Sequence, residues 1–461
     1  MKSEDEGYAF AFYCLTDKFL CIPDRIYVYS VRDNAISTEK SAAMTSSAVS
    51  SMIEGYEYIK AMMDRLPKGI MTSQLRGECF RAFFERMIDF YVFRYYDQES
   101  VKSGEALELF TEACRKSFGE YGEMAALLLQ GYSINRKSTS MLAGRAAYFR
   151  DEIRCGFLVT TQRKKLWTSQ LEMILEVARI CQKHNIRWFA YGGTLLGAVR
   201  HRGFIPWDDD VDLVMLRPDY EKFKRVAPRE LNPNCTLDMW YDYNFDGFPQ
   251  DASLPNITRA ELNRFPTGWP HHCHMKIRDN RSVMIEFEKR KDLNQGIFID
   301  IFPLDPTPPF NNSQHDVDFE VARELFFIAN YPEIIAGALQ RNERLLLSYE
   351  SLNQLLKQTR KQRALAFENF VAQHWFESQY VDIHSMVMLH GKRGYDLKFF
   401  RASVVLPFEW IGMMAPIDYD ALLTKQYGDW KKIVFQPPHS AVYSNEISYK
   451  DYFASVNLPG V

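Results

Sequence analysis

Four aspartates, Asp208, Asp209, Asp210 and Asp212, fall within five positions and run directly into Val211, Leu213, Val214 and Met215. Side chains alternate faces along a β-strand. The spacing therefore predicts Asp208, Asp210 and Asp212 on one wet face and Val211, Leu213 and Met215 on a buried one, with Asp209 turned away from the other carboxylates. Carboxylates held this close repel one another unless a cation lies between them. An all-oxygen donor set suits Mg²⁺ or Mn²⁺, so Asp208, Asp210 and Asp212 are candidate metal ligands. The plain alternative is an acidic strand end with no role. Its context speaks against that: a Gly-Gly turn lies upstream and basic residues lie between.

That turn, Gly192-Gly193, leads into a predicted helix Thr194–Arg200. Free N–H groups and the helix dipole favour a phosphate at such an N-terminus, which makes Gly192, Gly193 and Thr194 candidate substrate contacts. Arg200 and His201 precede the acidic stretch and could clamp a diphosphate; a solvated basic loop is the bland reading. A further carboxylate, Asp300, interrupts the apolar run of GIFIDIFPLD. Burying it without a partner is costly. Sharing a metal with Asp210 and Asp212 removes that cost, and an ion pair to a neighbouring strand is the alternative. Asp305 follows the Phe302-Pro303 bend and reads as a turn residue. In HCHMKIR, Cys273, Met275 and Ile277 alternate with His272, His274, Lys276 and Arg278, so Lys276 could meet a substrate phosphate. Consecutive residues of HHCH on a strand cannot converge on one tetrahedral zinc.

The elements that must position these groups follow from periodicity. An amphipathic helix over Leu166–His184 carries Leu171, Ile174, Leu175, Ala178 and Cys181 on one face, and an apolar strand Trp188–Tyr191 enters the glycine turn. A helix over Asp219–Val226 follows the acidic strand, and strands are predicted at His272–Arg278 and Gly296–Phe302. A long helical insert occupies about 314–398, and Val404–Gly428 reads as strand, loop and a helix from Asp418 to Gly428. Before residue 150 the chain is mostly helical, with predicted helices at Glu6–Thr16, Ala48–Leu66, Gln74–Tyr95, Gly104–Phe118 and Met124–Gln130. The sum is an α+β chain: a mixed β-sheet flanked by helices, a long helical insert and a mostly helical N-terminal region. Domains are expected over 1–150 and 160–435, with a tail over 436–461.

The chain has 461 residues, 46% of them hydrophobic, enough to fill two or three cores. A net charge of −3 argues against bulk electrostatic binding of nucleic acid. The eight cysteines form no C-x-x-C pair, which suits reduced thiols in a cytosolic protein. No apolar run approaches the roughly 18–20 residues that span a bilayer. The start MKSEDEGYAF lacks the regions of a signal peptide. A cytoplasmic protein is expected, with no transmembrane segment and any membrane contact peripheral, at the inner surface.

Together, GGTLLGAVRHRGFIPWDDDVDL, MKIRDNRSVMIE, GIFIDIFPLD and FEWIGMMAPIDYDALLTKQYGDWKK resemble the LicD family, which includes fukutin-related proteins and belongs to the polymerase β-like nucleotidyltransferase superfamily. The resemblance covers roughly residues 166–435, in the family's order. It implies transfer of a phospho-alcohol group, such as phosphocholine or ribitol phosphate, from a CDP-activated donor to a hydroxyl of a cell-surface glycan, with CMP released. It also implies that Asp210, Asp212 and Asp300 hold a divalent metal, with Asp208 in the same cluster. For a choline donor, Trp207, Trp240 or Tyr241 could face the quaternary ammonium. Two other readings compete: nucleotidyl transfer from a nucleoside triphosphate, and a non-catalytic glycan-binding or scaffold partner of a glycosyltransferase. A second resemblance lies in SEDEGYAFAFYCLTDKFLCIPDRIYVYSVRDNAIS, which is similar to the tail of a family 2 glycosyltransferase, where Asp5 would match the catalytic base. The nucleotide-binding half of such an enzyme would precede this point. The block is therefore expected to be a remnant or the back end of a fusion, without sugar transfer of its own.

Overall fold

A computed structural model describes residues 44–65, seven positions between 76 and 84, 105–134, 148–242, 273–308 apart from 288–289, 313–373, 378–383, 394–436 and 442–455. The glycosyltransferase-like segment, with Asp5 and the helix expected over Glu6–Thr16, lies outside the described residues. Among the described residues no helix is long and apolar enough to cross a membrane.

The chain mixes helices and strands as expected. In order come helices α1 (Met44–Arg65), α2 (Glu105–Ser117) and α3 (Gly122–Ile134), then a short hairpin of β1 (Glu152–Arg154) and β2 (Phe157–Val159). The sheet region follows with α4 (Thr161–Lys183), β3 (Phe189–Ala190), α5 (Gly192–His201), β4 (Asp212–Leu216), α6 (Arg217–Glu230), β5 (Cys235–Met239), β6 (Met275–Asp279), β7 (Val283–Met284) and β8 (Ile297–Thr307). Helices α7 (Ser313–Asn330), α8 (Pro332–Gln340), α9 (Tyr349–Leu356) and α10 (Arg360–Ala372) form the insert. After them come β9 (Tyr380–Asp382), β10 (Tyr395–Asp396), β11 (Ser403–Phe408), β12 (Ile411–Pro416), α11 (Tyr419–Tyr427), β13 (Tyr443–Ser444) and α12 (Tyr449–Ser455).

Seven strands, β3, β4, β5, β6, β8, β9 and β10, form one mixed sheet around β8. Strand β8 pairs in parallel with β4, Asp212 opposite Asp300, and antiparallel with β6, Lys276 opposite Asp300. It therefore brings three distant segments into one row. The strand does not stop at Phe302 as the proline suggested, but runs through Pro303 to Thr307. Proline costs a ladder donor. Pro303 falls between the stretch paired to β6, which ends at Ile301, and the stretch paired to β9, which begins at Asp305, so that donor has no partner to lose on this side. The insert also ends earlier than its apolar spacing implied, because β9 and β10 return the chain to the sheet.

Helix α4 starts at the capping residue Thr160, whose side chain accepts the Arg163 N–H, a turn earlier than its apolar stripe. Leu171, Ile174, Leu175, Ala178 and Cys181 are buried as that stripe requires. The N-terminal helices share this core: Phe80, Phe84 and Leu127 belong to one apolar cluster with Leu171, Leu213 and Ile411. At Gly131 of α3 a methyl group would lie 2.1 Å from the Ile411 backbone, so α3 packs directly on the turn into β12. Strand β12 was expected as loop; instead it pairs with β11 along Ser403–Pro416 in a hairpin. A second cluster, built on Phe326, Ile328, Ile334, Leu352 and Phe367, lies within the insert.

Candidate catalytic carboxylate site

The acidic stretch is mostly loop. Strand β4 begins only at Asp212, so Asp208, Asp209 and Asp210 do not alternate as strand residues. Helix α4 fixes their backbone instead. Arg163 donates to the Asp208 carbonyl at 2.8 Å, Trp167 Nε1 to the same carbonyl at 3.0 Å, and Gln170 Nε2 to the Asp209 carbonyl at 2.9 Å. Buried donors of this kind hold a loop because each would otherwise lose its hydration uncompensated.

This folding changes the place of Asp209. Strand alternation put it on the far side, yet one carboxylate oxygen from each of Asp208, Asp209 and Asp210 lies within 4.8 Å of the others. Asp209 is fully buried, while Asp208 and Asp210 are part-exposed.

Asp212 begins β4 under the glycine turn. Its N–H donates to Thr194 Oγ1 at 2.9 Å, and its carbonyl accepts the Tyr191 N–H at 3.0 Å. The buried Thr194 hydroxyl thus ties α5 to β4. Gly192 has φ +51°, which disfavours any residue with a Cβ. A methyl on Gly192 would lie 2.9 Å from Asp212 Oδ2, and one on Gly193 would lie 2.8 Å from Asp208 Oδ2. The two glycines make room for two carboxylates at the N-terminus of α5, where the helix dipole favours negative charge. Burial, and then the charges of Asp210, Asp300 and Asp208, hold the Asp212 carboxyl well above the usual carboxylate range, with Lys276 opposing them.

Asp300 arrives from β8. His274 Nε2 lies 2.8 Å from Asp300 Oδ1, and Lys276 Nζ lies 3.3 Å from the same oxygen. Lys276 also donates to Glu286 Oε1 at 2.7 Å and sits 3.6 Å from the centre of the Phe298 ring. Its ammonium is thus engaged by two carboxylates and an aromatic face. Burial keeps the His274 imidazole on the neutral side of its ordinary range despite Asp300. The ion pair weighed as an alternative to metal ligation exists, and the Asp300 carboxylate still adds to the field on Asp212.

The other sequence candidates go elsewhere. Arg200 Nη1 donates to the carbonyls of Trp430 and Lys432, at 3.0 and 2.9 Å, and Arg200 Nε donates to His201 Nε2 at 2.9 Å. His201 is pushed down to about 4 by burial and by the Arg200 and Arg154 charges, so it carries no positive charge at neutral pH. Asp305 is a fully buried strand residue, not a turn: Arg217 Nε donates to it at 2.5 Å. Trp240 is buried, with its Nε1 on Glu368 and the Arg360 guanidinium 5.9 Å from its ring, which leaves no face for a quaternary ammonium. Tyr427 was not anticipated. Its hydroxyl lies 3.8 Å from the position a Gly192 Cβ would take, beside Asp212, and no local pattern links the end of α11 to the glycine turn.

The carboxylates gathered here are Asp208, Asp209 and Asp210 on the loop and Asp212 and Asp300 side by side on β4 and β8, with Lys276 as a nearby cation. Carboxylate oxygens gathered around so few cations are a donor set that fits a hard divalent ion such as Mg²⁺ or Mn²⁺. Comparison with known proteins agrees in location. Residues 185–308 match the family model described as LicD/FKTN/FKRP, nucleotidyltransferase domain. The chain is similar to a protein of Haemophilus influenzae named lipopolysaccharide cholinephosphotransferase LicD, at 23% identity over 273 residues, covering 59% of this chain and 76% of that protein. It also resembles uncharacterized proteins of Rickettsia typhi, at 38% identity, and Rickettsia prowazekii, at 36%; the matches cover 13% and 16% of this chain and 20% and 29% of those proteins. The segment that matches the LicD nucleotidyltransferase-domain model, residues 185–308, holds the glycine turn and every carboxylate of the cluster.

Proposed function

We propose that this protein transfers a phospho-alcohol group, phosphocholine- or ribitol-phosphate-like, from a CDP-activated donor to a hydroxyl of a cell-surface glycan, releasing CMP. One observation carries the reading: the parallel register of β4 and β8 sets Asp212 beside Asp300, beneath the glycine turn and inside the LicD-matched segment. The Haemophilus influenzae relative, named as acting on lipopolysaccharide with a cholinephosphate group, supports the class of donor and acceptor.

Asp208, Asp210, Asp212 and Asp300 would hold Mg²⁺ or Mn²⁺. A divalent ion bound there supplies charge neutralisation for the donor diphosphate. The chain's own groups do the rest. An acceptor hydroxyl is a weak nucleophile until a base takes its proton. One of the cluster's aspartates would take that proton. The hydroxyl oxygen forms the new P–O bond as the bond to CMP breaks, and the leaving CMP carries the electron pair on its phosphate. His274 and Lys276 keep Asp300 oriented through their shared contact with Oδ1. Thr194 holds Asp212 in register.

The test is incubation of the purified protein with CDP-choline, CDP-ribitol or CTP, each with and without Mn²⁺ and a glycan acceptor, followed by chromatography of the nucleotides. CMP formed from a CDP-alcohol only when acceptor is present is expected. Pyrophosphate from CTP would assign nucleotidyl transfer instead. Absence of any turnover, with unchanged biological activity of Asp212→Ala, would assign a non-catalytic role.

A further inference from the structure

Beside the site, two elements distant in sequence expose apolar side chains at one corner. On the hairpin, Ile153 and Leu158 are cross-strand partners, and both point outward. On the loop after α11, Ile433, Val434 and Phe435 follow one another; these five residues are 50–74% exposed. The two elements touch. The Phe157 and Phe435 rings are 6.2 Å apart, and both pack on Trp207, at 6.2 and 5.2 Å. Such clustering of large exposed apolar groups marks an interaction surface, whereas single ones need no explanation.

The charges beside the patch say what kind. Lys431 and Lys432 immediately precede Ile433 and are exposed. Among the described residues neither makes an ion pair with a carboxylate, although the loop also contains Asp429. Exposed lysines without a carboxylate partner, Lys431 with its ammonium 5.6 Å from the Trp430 ring centre, followed directly by aliphatic and aromatic side chains, match a surface with anionic headgroups over an apolar interior. The loop is also held in place, since Arg200 binds the Trp430 and Lys432 carbonyls and so fixes the backbone that presents these side chains. Rigid presentation lowers the ordering cost of docking.

We propose that the corner formed by Ile153, Leu158 and residues 431–435 docks the protein on an anionic bilayer. Trp207 connects this corner to the next residue, Asp208, so docking sets the carboxylate cluster close to the membrane surface. An acceptor glycan anchored to lipid would then reach the site without leaving its membrane. That last step rests on the proposed transfer reaction, but the docking does not.

Sedimentation of the full chain with phosphatidylcholine vesicles, with and without added phosphatidylglycerol, tests it in the absence of any donor. Binding should rise with the phosphatidylglycerol fraction and weaken with salt. It should fall by roughly an order of magnitude in Lys431→Glu/Lys432→Glu, and by a similar factor in Ile153→Ser/Leu158→Ser and in Ile433→Ser/Val434→Ser. Melting temperatures should stay unchanged throughout, and CMP release with a soluble acceptor should persist in the lysine variant. Vesicle binding that these substitutions leave intact, no binding at all, or a dimer in size-exclusion chromatography that the same substitutions dissolve would each overturn the proposal. Docking without turnover would count against the transfer reaction alone.

Discussion

The sharpest handle on the site is a single methyl group at Gly193. Gly193 has no positive φ to lose, so alanine there meets no backbone strain and gains up to about 1 kcal/mol of helix propensity. Its Cβ, however, would lie 2.8 Å from Asp208 Oδ2. To reach ordinary van der Waals contact the carboxylate must retreat by roughly 0.6 Å. A misplacement of about 1 Å costs on the order of 100-fold in turnover, so a loss of about 10- to 100-fold is expected for Gly193→Ala, with melting unchanged or slightly raised. Gly192→Ala provides the contrast. Its φ of +51° adds about 1–2 kcal/mol of strain to a contact of 2.9 Å with Asp212 Oδ2. That variant should lose activity and also melt about 2–8 °C lower, at roughly 2–4 °C per kcal/mol. Scanning calorimetry, titration of Mn²⁺ and CMP release give the three readouts. If Gly193→Ala kept wild-type Mn²⁺ affinity and turnover, the position of the Asp208 carboxylate would be irrelevant, and the reasoning from the glycine cradle would fail.

The two strand carboxylates should respond oppositely to neutralisation. The Asp212 carboxyl is raised in the folded state, so the metal-free protein loses stability as pH climbs above the unfolded carboxylate range, near 4; Asp212→Asn should remove that slope, as urea melts in chelator at pH 5 and pH 8 would show. Asp300→Asn instead takes a charged partner from Lys276 and His274, and should destabilise by about 1.5–3 kcal/mol in the same melts. Asp305→Ala leaves the buried Arg217 with Glu221 as its remaining carboxylate and should cost about 1.5–3 kcal/mol in chemical denaturation, with residual activity per folded molecule retained. Gly131→Ala drives a methyl into the Ile411 backbone and should cost at least about 1–3 kcal/mol. One calorimetric transition, shifted down as a whole, is expected; separate transitions would mean that the N-terminal helices do not share the core.

The parts of the site legible in the sequence were those set by local chemistry. Asp300 stood out because an apolar strand has no cheap use for a charge, and the glycine pair stood out because it preceded a helix. What was not legible depended on contacts across the fold. Arg200 looked like a phosphate ligand because its partners, the carbonyls of Trp430 and Lys432, are backbone groups more than two hundred positions away and leave no mark on composition. Asp209 was placed on the wrong side because strand alternation was extended into a loop whose course is set by Arg163, Trp167 and Gln170 of α4. Periodicity fails wherever a tertiary hydrogen bond, instead of the pleat, directs the chain.

Asp300 and Asp305 show where burial stops being informative. Both belong to β8, both are buried, and both have a cationic partner. The difference lies in what surrounds the pair. Asp305 meets the buried Arg217, and its partner on β9, Asp382, has its own oxygens taken by the backbone N–H groups of Ile383 and Gly394. Asp300 shares its row with Asp212, and its two partners, Lys276 and His274, both contact one oxygen, Oδ1. A carboxylate paired with a buried arginine has its charge satisfied, even where that arginine also serves Glu221. One set among three more carboxylates leaves a deficit of positive charge that a divalent ion would fill. The chemistry of this domain is therefore better traced by asking which buried charges remain outnumbered than by asking which are buried.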